Sequence, residues 1–312
     1  MILIYSKDID DFVNQVVDCL GTNFIRFNET DKVEINKMEF SNEENSYVIN
    51  TTFQKNIELE KLKSIWFNGG GLNSFGGNYE DKCYEILNDA YLLQKTVYKL
   101  GKRTSDFEFN RLDVMLEAKN QGLKIPHTLI TGHKQKLEDF YALYESKNGI
   151  VSKRIMDSYI YEDEEYSYNF NLTFSITPEV LQKTTNDFAI SLFQERIIAD
   201  FEIRVIYIDE IIYAACIYNF DNNIDYRTKL LNMNNLRIIS FKLPIEVESK
   251  ITNIFKKFNI NYGSADLMYK ADEYYFLEIN PTGQISFINN TCNFYIEKVI
   301  AEKLIYDDKK AN

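Results

Sequence analysis

The chain has 312 residues, of which 45% are hydrophobic and 26% charged, and its net charge is −12. This length and composition are typical of a globular protein with two or three subdomains. The acidic charge, without a basic cluster to neutralise phosphates, argues against DNA or RNA as a partner. No apolar stretch approaches the ~20 residues that cross a bilayer, so no membrane partner is expected. The four cysteines lie far apart without a CxxC pair, as expected in a reducing cytoplasm.

The first hundred residues have an α/β pattern. Helical spacing predicts a helix over 10–20 and a long helix over 81–100, which the glycine at 101 would end. Apolar and alternating runs predict strands at 1–5, 24–28, 33–40, 46–53 and 64–67. This α/β pattern predicts an N-terminal subdomain over 1–100.

Helices and strands continue through the rest of the chain. Helices are predicted at 110–121, 137–146, 178–192, 246–258 and 294–305. A strand at 149–156 contains Lys153, and two β-rich runs flank an acidic turn within 157–174. A further hairpin is predicted to turn at Asp209 and Glu210.

Residues 261–284 predict a β-hairpin whose turn is KADE. If the pairing centres on Asp272, Asp266 lies directly opposite Glu278. Asn280 lies two residues beyond Glu278 and therefore points to the same face of its strand. Tyr275, Leu277 and Ile279 alternate with these positions and are expected on the opposite face.

Three oxygen-bearing side chains on one small patch indicate a cation among them. Two carboxylates and an amide oxygen are hard ligands that suit Mg²⁺ better than zinc. Mg²⁺ held by few protein oxygens usually takes nucleotide phosphate oxygens as its remaining ligands. The alternative is an exposed polar strand face that closes a hairpin. The sequence therefore predicts a magnesium site at Asp266, Glu278 and Asn280.

Two glycine-containing stretches do not form a phosphate loop. A Walker A loop needs glycine, four residues, then Gly-Lys-Ser/Thr, whereas Gly101-Lys102 has Thr96 in place of the first glycine. The glycine cluster at 67–77 contains no such lysine either, and a surface loop is expected there.

The order of these motifs resembles a known enzyme superfamily. The pattern D-x11-E-x-N-P-x-G-Q after Y-G-S resembles the metal-binding end of the ATP-grasp carboxylate ligases. NPTGQISF, the W-F-N element at Trp66 and the missing Gly-rich loop after Lys153 resemble the graspetide maturases, the microviridin-type and grasp-with-spasm peptide ligases. The resemblance implies an α/β ATP-grasp fold with an N-terminal subdomain at 1–100, a central one at 101–192 and a C-terminal one at 193–312.

The resemblance also implies roles for particular residues. Lys153 corresponds to the phosphate-binding lysine, and Arg111 stands where relatives commonly carry a second lysine. The segment from Gln194 through Glu195 to Ile197 resembles the adenine hinge. The residues implied near the ribose, the transferred phosphoryl group and the metal are Glu202, Arg204, Arg227, Asp266, Glu278 and Asn280.

The implied activity is ATP-dependent macrocyclisation of a ribosomal precursor peptide. A Glu or Asp side chain would be activated as an acyl phosphate and joined to Thr, Ser or Lys as an ester or amide. The hairpin within 157–174 would dock the leader of the precursor, with a surface at Tyr161, Asp163, Glu164 and Tyr166, and such enzymes are typically homodimers. Two alternatives stay open, namely an amino-acid ligase acting on a protein or small peptide, and an ATP-binding regulatory module without turnover.

Overall fold

The structure is a computed structural model that describes residues 1–21, 24–70, 78–94, 97–103, 110–155, 160–162, 167–169, 173–220 and 236–306. Its elements form an N-terminal, a central and a C-terminal group of strands, each with helices packed on it. Within these ranges, no helix is long and apolar enough to span a membrane.

The N-terminal group is built on a parallel sheet with the order β2-β1-β6-β7. A three-stranded antiparallel sheet, β3-β4-β5, extends it. The bounds are β1 Ile2–Ser6, α1 Asp11–Leu20, β2 Phe24–Asn28, β3 Val33–Phe40, β4 Asn45–Thr51, β5 Ile57–Glu58, β6 Ser64–Asn68, α2 Asn78–Gln94 and β7 Tyr98–Leu100. The Asp10 side chain caps α1 by accepting from the Phe12 and Val13 amides.

The long helix predicted over 81–100 is wrong at its carboxyl end. The helix α2 ends at Gln94, and Tyr98–Leu100 is a strand that pairs with β6. Pairing with the sheet edge buries Leu100 completely. Tertiary pairing therefore overrides the local helical spacing at these residues.

The central group is an antiparallel sheet with the order β12-β9-β13-β8. Its bounds are α3 Arg111–Asn120, β8 Thr128–His133, α4 Lys134–Ala142, β9 Ile150–Lys153, β10 Ile160–Glu162, β11 Ser167–Asn169, β12 Phe174–Ile176, α5 Pro178–Lys183 and β13 Asp187–Glu195. The strands β10 and β11 pair antiparallel with Tyr161 opposite Tyr168, and they belong to the predicted hairpin within 157–174.

The helix predicted over 178–192 is wrong beyond its first turns. The helix α5 ends at Lys183, and β13 then runs between β8 and β9. Leu192 and Phe193 are buried on opposite faces of this inner strand. The spacing of apolar residues alone does not distinguish a strand that is buried on both faces from a helix.

The C-terminal group is a five-stranded antiparallel sheet with the order β16-β15-β14-β17-β18. Its bounds are β14 Phe201–Ile208, β15 Ile211–Asn219, β16 Leu236–Phe241, α6 Ile245–Lys257, β17 Tyr262–Lys270, β18 Glu273–Asn280, α7 Ser286–Cys292 and α8 Ile296–Tyr306. The predicted turn at Asp209 and Glu210 is confirmed, and both residues have positive φ, as a two-residue hairpin turn requires.

The two faces of this sheet pack against different partners. On β14, Ile203, Val205 and Tyr207 join a core with α6 and α3. Ile206 and Ile208 point the other way and join a core shared with the N-terminal group and with α8. Glu202 and Arg204 have the same parity as Ile206 and Ile208, so they lie on the face that the N-terminal group covers only in part.

Candidate active site

A row of charged side chains crosses three neighbouring strands of the C-terminal sheet. Arg204 on β14 lies opposite Asp266 on β17, and Asp266 lies opposite Glu278 on β18. The Arg204 Nη1 donates to both Asp266 carboxylate oxygens at 2.7 Å. The Arg204 side chain is only 3% exposed, whereas that of Asp266 is 18% exposed, so the carboxylate is the accessible end of the pair.

The predicted pairing of Asp266 with Glu278 is confirmed, but its predicted origin is wrong. The turn consists of Ala271 and Asp272, and both have positive φ, so the pairing does not centre on Asp272 alone. A β-bulge at Leu277 adds one residue to β18 between the pairs Leu267–Phe276 and Asp266–Glu278. Without the bulge, Asp266 would lie opposite Leu277. The bulge therefore brings the second carboxylate into the site.

The bulge also corrects the predicted apolar face of β18. The side chains packed into the core under α6 are those of Tyr274, Phe276 and Ile279. The predicted alternation of Tyr275, Leu277 and Ile279 holds only at Ile279, because the extra residue at Leu277 reverses the parity of the strand.

Arg111 reaches the same carboxylate row from the start of α3. Its Nη2 lies 2.7 Å from the Glu278 Oε2, and the two side chains are 17% and 20% exposed. Its Nη1 donates to the Arg154 carbonyl oxygen at 3.4 Å, one residue after Lys153. Arg111 therefore joins the C-terminal sheet to the end of β9 in the central sheet.

Asn280 ends β18 on the same side of the sheet. Its Oδ1 accepts hydrogen bonds from the Thr282 amide at 3.3 Å and the Thr282 hydroxyl at 3.2 Å. A Cβ on Gly263 would lie 2.7 Å from the Asn280 carbonyl oxygen, so only glycine permits this close approach of the two strands. The turn after β18 thus holds the amide in place.

The donor set suits a hard divalent cation with several external ligands. Within the described residues, no three His, Cys, Asp or Glu side chains gather into a metal cluster. Asp266 and Glu278 each contact an arginine, and Asn280 supplies a neutral oxygen. Two carboxylates and one amide leave room for water and phosphate oxygens, as is typical of a nucleotide-bound Mg²⁺. The residues therefore fit Mg²⁺ in combination with a phosphate ligand.

Lys153 and Gln194 share one face of the central sheet. Lys153 lies opposite Leu192, and Gln194 lies opposite Val151 two residues further along β13. The Gln194 amide donates to the Thr128 hydroxyl at 3.0 Å and is 3.6 Å from the Met115 sulfur on α3. Helix α3 also carries Arg111, which contacts Glu278. This face of the central sheet is therefore on the same side as the row of Arg204, Asp266 and Glu278.

Glu195 lies on the other face of β13 and at its end. Its Oε1 accepts from the His127 amide at 2.9 Å, and its amide donates to the His127 carbonyl at 3.0 Å. One carboxylate oxygen is thus used to join β13 to the segment before β8. Residues 196–199, which include Ile197, then connect the two sheets without regular structure.

Sequence reasoning missed the apolar residues next to Lys153 and Gln194. Val151 and Leu192 are buried on the same face of the central sheet, and Met115 contacts Gln194 from α3. Their signal in the sequence was weak, because buried apolar residues occur in every strand and helix of the core.

Several predicted residues fall outside the described ranges. These are Arg227, Asp163, Glu164 and Tyr166. Tyr161 is described only through its backbone pairing in β10.

The N-terminal group is fastened to the strand that carries Asp266. The Tyr262 hydroxyl on β17 donates to the Asn68 Oδ1 at 2.7 Å, and the Asn68 amide donates to the Asp10 Oδ2 at 2.9 Å. Burial raises the pKa of Tyr262 well above its usual value, with a smaller contribution from Asp10. The phenol therefore stays neutral and remains a donor.

The architecture of this chain is similar to that of several solved proteins. No family model matches the chain, and no curated protein matches it. The macrocyclase MdnC of Microcystis aeruginosa, solved with the precursor peptide MdnA, is 22% identical over 98% of this chain and 100% of its own, with a TM-score of 0.79. A RiPP-associated ATP-grasp ligase of Chryseobacterium gregarium, solved with ADP and a leader and core peptide, is also 22% identical, over 98% and 96%, with a TM-score of 0.79. The ATP-grasp ligase PsnB, solved with a minimal precursor, Mg and ADP, is 14% identical over 99% and 98%, with a TM-score of 0.67.

The shared architecture is that of an α/β protein in which a central and a C-terminal antiparallel sheet follow an N-terminal parallel sheet. This is the ATP-grasp fold, as the full-length agreement with the Chryseobacterium ligase and with PsnB shows.

Proposed function

We propose that the protein is an ATP-dependent, ADP-forming ligase that macrocyclises a ribosomal precursor peptide. The observation that carries the proposal is the row of Arg204, Asp266 and Glu278 on neighbouring strands. Arg111, at the start of α3, contacts the Glu278 end of this row. Carboxylates and arginines on one accessible face suit phosphoryl transfer, which depends on positioning and charge neutralisation. The three subdomains, 1–100, 101–192 and 193–312, remain part of this proposal.

ATP would lie between the central and C-terminal sheets. Lys153, with Arg111, would contact its phosphates, and Val151, Leu192 and Met115 would cover the adenine. The backbone of the hinge from Glu195 to Ile197 would read the adenine edge, and Glu202 would lie near the ribose. Gln194 lies on the same face of the central sheet as Lys153, and Glu195 lies on the other face. Of these two side chains, Gln194 is therefore the better placed to contact the nucleotide.

The chain's own residues would then govern the transfer. A substrate carboxylate would attack the γ-phosphate to give an acyl phosphate and ADP. Arg204, held at 2.7 Å from Asp266, would stabilise the charge on the transferred group without reorganising, and Arg227 would assist it. Bound Mg²⁺ would supply charge neutralisation at the phosphate oxygens. A hydroxyl or amine of the same peptide would then displace the phosphate.

Arg111 would change partners when the nucleotide binds. In the structure Arg111 forms an ion pair with Glu278, which is one of the proposed metal ligands. A cation and a metal ion compete for one carboxylate, whereas phosphate attracts the arginine. Nucleotide binding would therefore draw Arg111 away from Glu278 and open that ligand to the metal. ATP and metal would bind with positive coupling, and neither would bind as well alone.

The partner would be a precursor peptide with a leader and an acidic core. The precursor peptides in the MdnC and Chryseobacterium structures support this class of partner. The leader would dock on the hairpin within 157–174, around Tyr161, Asp163, Glu164 and Tyr166. The ester or amide chemistry, a homodimeric state and a cytoplasmic location belong to the same proposal.

ADP release with and without a candidate precursor tests the proposal. A ligase releases ADP only with the peptide and Mg²⁺, whereas a regulatory module gains thermal stability with ATP and releases no ADP. Calorimetry with the isolated leader separates peptide capture from chemistry. Charge reversal of Asp163 and Glu164 is expected to weaken leader binding and leave ATP affinity unchanged. Equal leader affinity in this variant would contradict docking on the hairpin.

A further inference from the structure

A chain of hydrogen bonds holds the side-chain amide of Gln194 in one orientation. The Thr128 hydroxyl on β8 donates to the Pro126 carbonyl oxygen at 2.8 Å. The Gln194 Nε2 donates to the Thr128 Oγ1 at 3.0 Å and lies 3.6 Å from the Met115 sulfur on α3. Gln194 is only 5% exposed. Both hydrogens of its amine therefore have an acceptor inside the protein.

The reversed orientation of the amide would leave its oxygen without a donor. A hydroxyl carries one proton, and the Pro126 carbonyl holds that of Thr128 at 2.8 Å. The Met115 sulfur lies 3.7 Å from the Thr128 Oγ1, but it is a weaker acceptor than a carbonyl and has no proton to donate. A turned amide would place Oε1 against these two acceptors and leave it unsatisfied. The contacts thus select one of two orientations that have nearly the same shape.

The fixed orientation turns the amide oxygen away from β8. Strand β13 runs between β8 and β9, and the Gln194 amine is directed to Thr128 on β8. The Oε1 is therefore directed to the side of β9, where Val151 and Lys153 lie. Among the residues that the structure describes, none donates to this oxygen. The face that carries Lys153 thus offers an acceptor to a ligand that brings a donor.

Purine bases differ in the group that they present to such an acceptor. Adenine carries an exocyclic amine at its six-position, and this amine donates. Guanine and hypoxanthine carry a carbonyl oxygen there, which accepts. A fixed amide oxygen attracts the amine, whereas it repels the carbonyl, because no proton lies between two acceptors.

We propose that Thr128 is a positioning residue for the nucleotide base. Its hydroxyl, held by Pro126, fixes the Gln194 amide so that the site selects adenine over purines with a carbonyl at the six-position. Thr128 acts through Gln194 and does not touch the nucleotide. The position of the base on this face of the central sheet rests on the proposed function. Without the hydroxyl, the amide can turn and its amine can donate to a six-carbonyl base.

Calorimetry of the full chain with Mg²⁺ and either ADP or inosine diphosphate tests this role. The two nucleotides differ only in the base, in which inosine has a carbonyl in place of the six-amine. The wild type is expected to bind ADP at least about 100-fold more tightly. Thr128→Val has nearly the same volume without a hydroxyl, and it is expected to lower this ratio about tenfold. Because no peptide is present, the result does not depend on ligase activity.

Two matched variants locate the effect. Thr128→Ser keeps a hydroxyl and is expected to keep the wild-type ratio. Thr131→Val removes a hydroxyl from the other face of β8, where the Thr131 Oγ1 accepts from the His133 amide at 3.1 Å, and it is expected to keep the ratio as well. The ratio is independent of the folded fraction, because an unfolded chain binds neither nucleotide. A loss of stability in Thr128→Val therefore cannot imitate the expected result.

The outcomes separate this proposal from the proposed function. If Thr128 only supports the fold, both affinities fall together and the ratio stays unchanged. Equal ratios in Thr128→Val and Thr131→Val, or a ratio lowered equally in Thr128→Ser, would overturn the proposal while ADP binding leaves the nucleotide site intact. A wild type that binds ADP without preference over inosine diphosphate would also overturn it. A wild type that binds neither nucleotide would overturn the proposed nucleotide site and the role of Thr128 together.

Discussion

Two arginine–carboxylate pairs with the same 2.7 Å contact distance differ in how they are held. Arg204 and Asp266 lie opposite each other on neighbouring strands of one sheet, and the arginine side chain is 3% exposed. Arg111 reaches Glu278 from a helix outside that sheet, and both side chains are about one fifth exposed. The first pair is fixed by strand register, whereas the second joins β18 to the first residue of a helix that packs against it. The fixed pair is suited to stabilising charge during transfer, and the exchangeable pair to loading the nucleotide and metal.

Removing the carboxylates should have the largest effect. Asp266→Ala and Glu278→Gln are expected to abolish Mg²⁺-dependent ADP formation, because each would remove one of the two carboxylates that we propose as metal ligands. The measurement is ADP release together with a melting curve. Wild-type turnover in either correctly folded variant would contradict the metal assignment.

Substituting Arg204 should affect both catalysis and stability. Arg204→Ala is expected to lower kcat by about 10²–10³-fold with little change in ATP affinity, because in the proposed function the lost interaction would act in the transition state. It should also lower the free energy of unfolding by about 3 kcal/mol, since it breaks a largely buried pair. Steady-state kinetics and chemical denaturation measure the two effects. A rise in KM with kcat unchanged would reduce Arg204 to a ground-state binding residue.

Substituting Arg111 should instead alter metal and nucleotide binding. Arg111→Gln is expected to raise the affinity of the nucleotide-free protein for Mn²⁺, a spectroscopic substitute for Mg²⁺, by about five- to tenfold. ATP affinity should fall, while stability changes by less than about 1 kcal/mol. Titration followed by electron paramagnetic resonance measures the metal affinity.

A matched variant controls for the loss of positive charge. Lys124→Gln removes one charge near β18, where the lysine lies 3.9 Å from Glu273 and is 57% exposed. It is expected to leave Mn²⁺ affinity unchanged. Equal Mn²⁺ affinity in Arg111→Gln and wild type would show that Arg111 does not compete with the metal.

The smallest effect concerns the buried phenol that joins the N-terminal group to β17. Burial raises the pKa of Tyr262, so the folded state keeps the neutral form while the unfolded chain ionises at about pH 10. The unfolded state therefore loses the proton first, and wild-type stability should fall as pH rises above about 10. Tyr262→Phe should lose about 1 kcal/mol at neutral pH with the Asn68 hydrogen bond and show a weaker alkaline decline. Parallel declines in denaturation series from pH 8 to 11 would contradict this account.

The hairpin that carries the carboxylates was largely predictable from the sequence. A pairing centred on Asp272 placed Asp266 opposite Glu278, as the structure has them, although the structure reaches this pairing through a turn at Ala271 and Asp272 followed by a bulge. The bulge at Leu277 was not predictable, because one extra residue leaves no signature in the pattern of apolar residues. The predicted pairing was correct although the predicted turn centre was not.

Segments whose secondary structure depends on pairing with strands distant in the sequence were predicted poorly. Residues of β13 and β7 have spacing compatible with a helix, and they are strands because neighbouring strands supply their hydrogen bonds. The contact between Arg111 and Glu278 joins residues far apart in the chain, and no local pattern indicates it. Local spacing also could not show that Gln194, rather than Glu195, shares the face of Lys153.

One measurement tests the central claim that the charged row supports ligation of a peptide. The full chain is incubated with ATP, Mg²⁺ and a candidate precursor encoded beside its gene, and ADP and peptide mass are followed together. The account predicts one ADP and the loss of one water from the peptide for each cross-link, in wild type and Lys124→Gln but not in Glu278→Gln. ADP release without loss of water, or cross-linking that persists in Glu278→Gln, would contradict it.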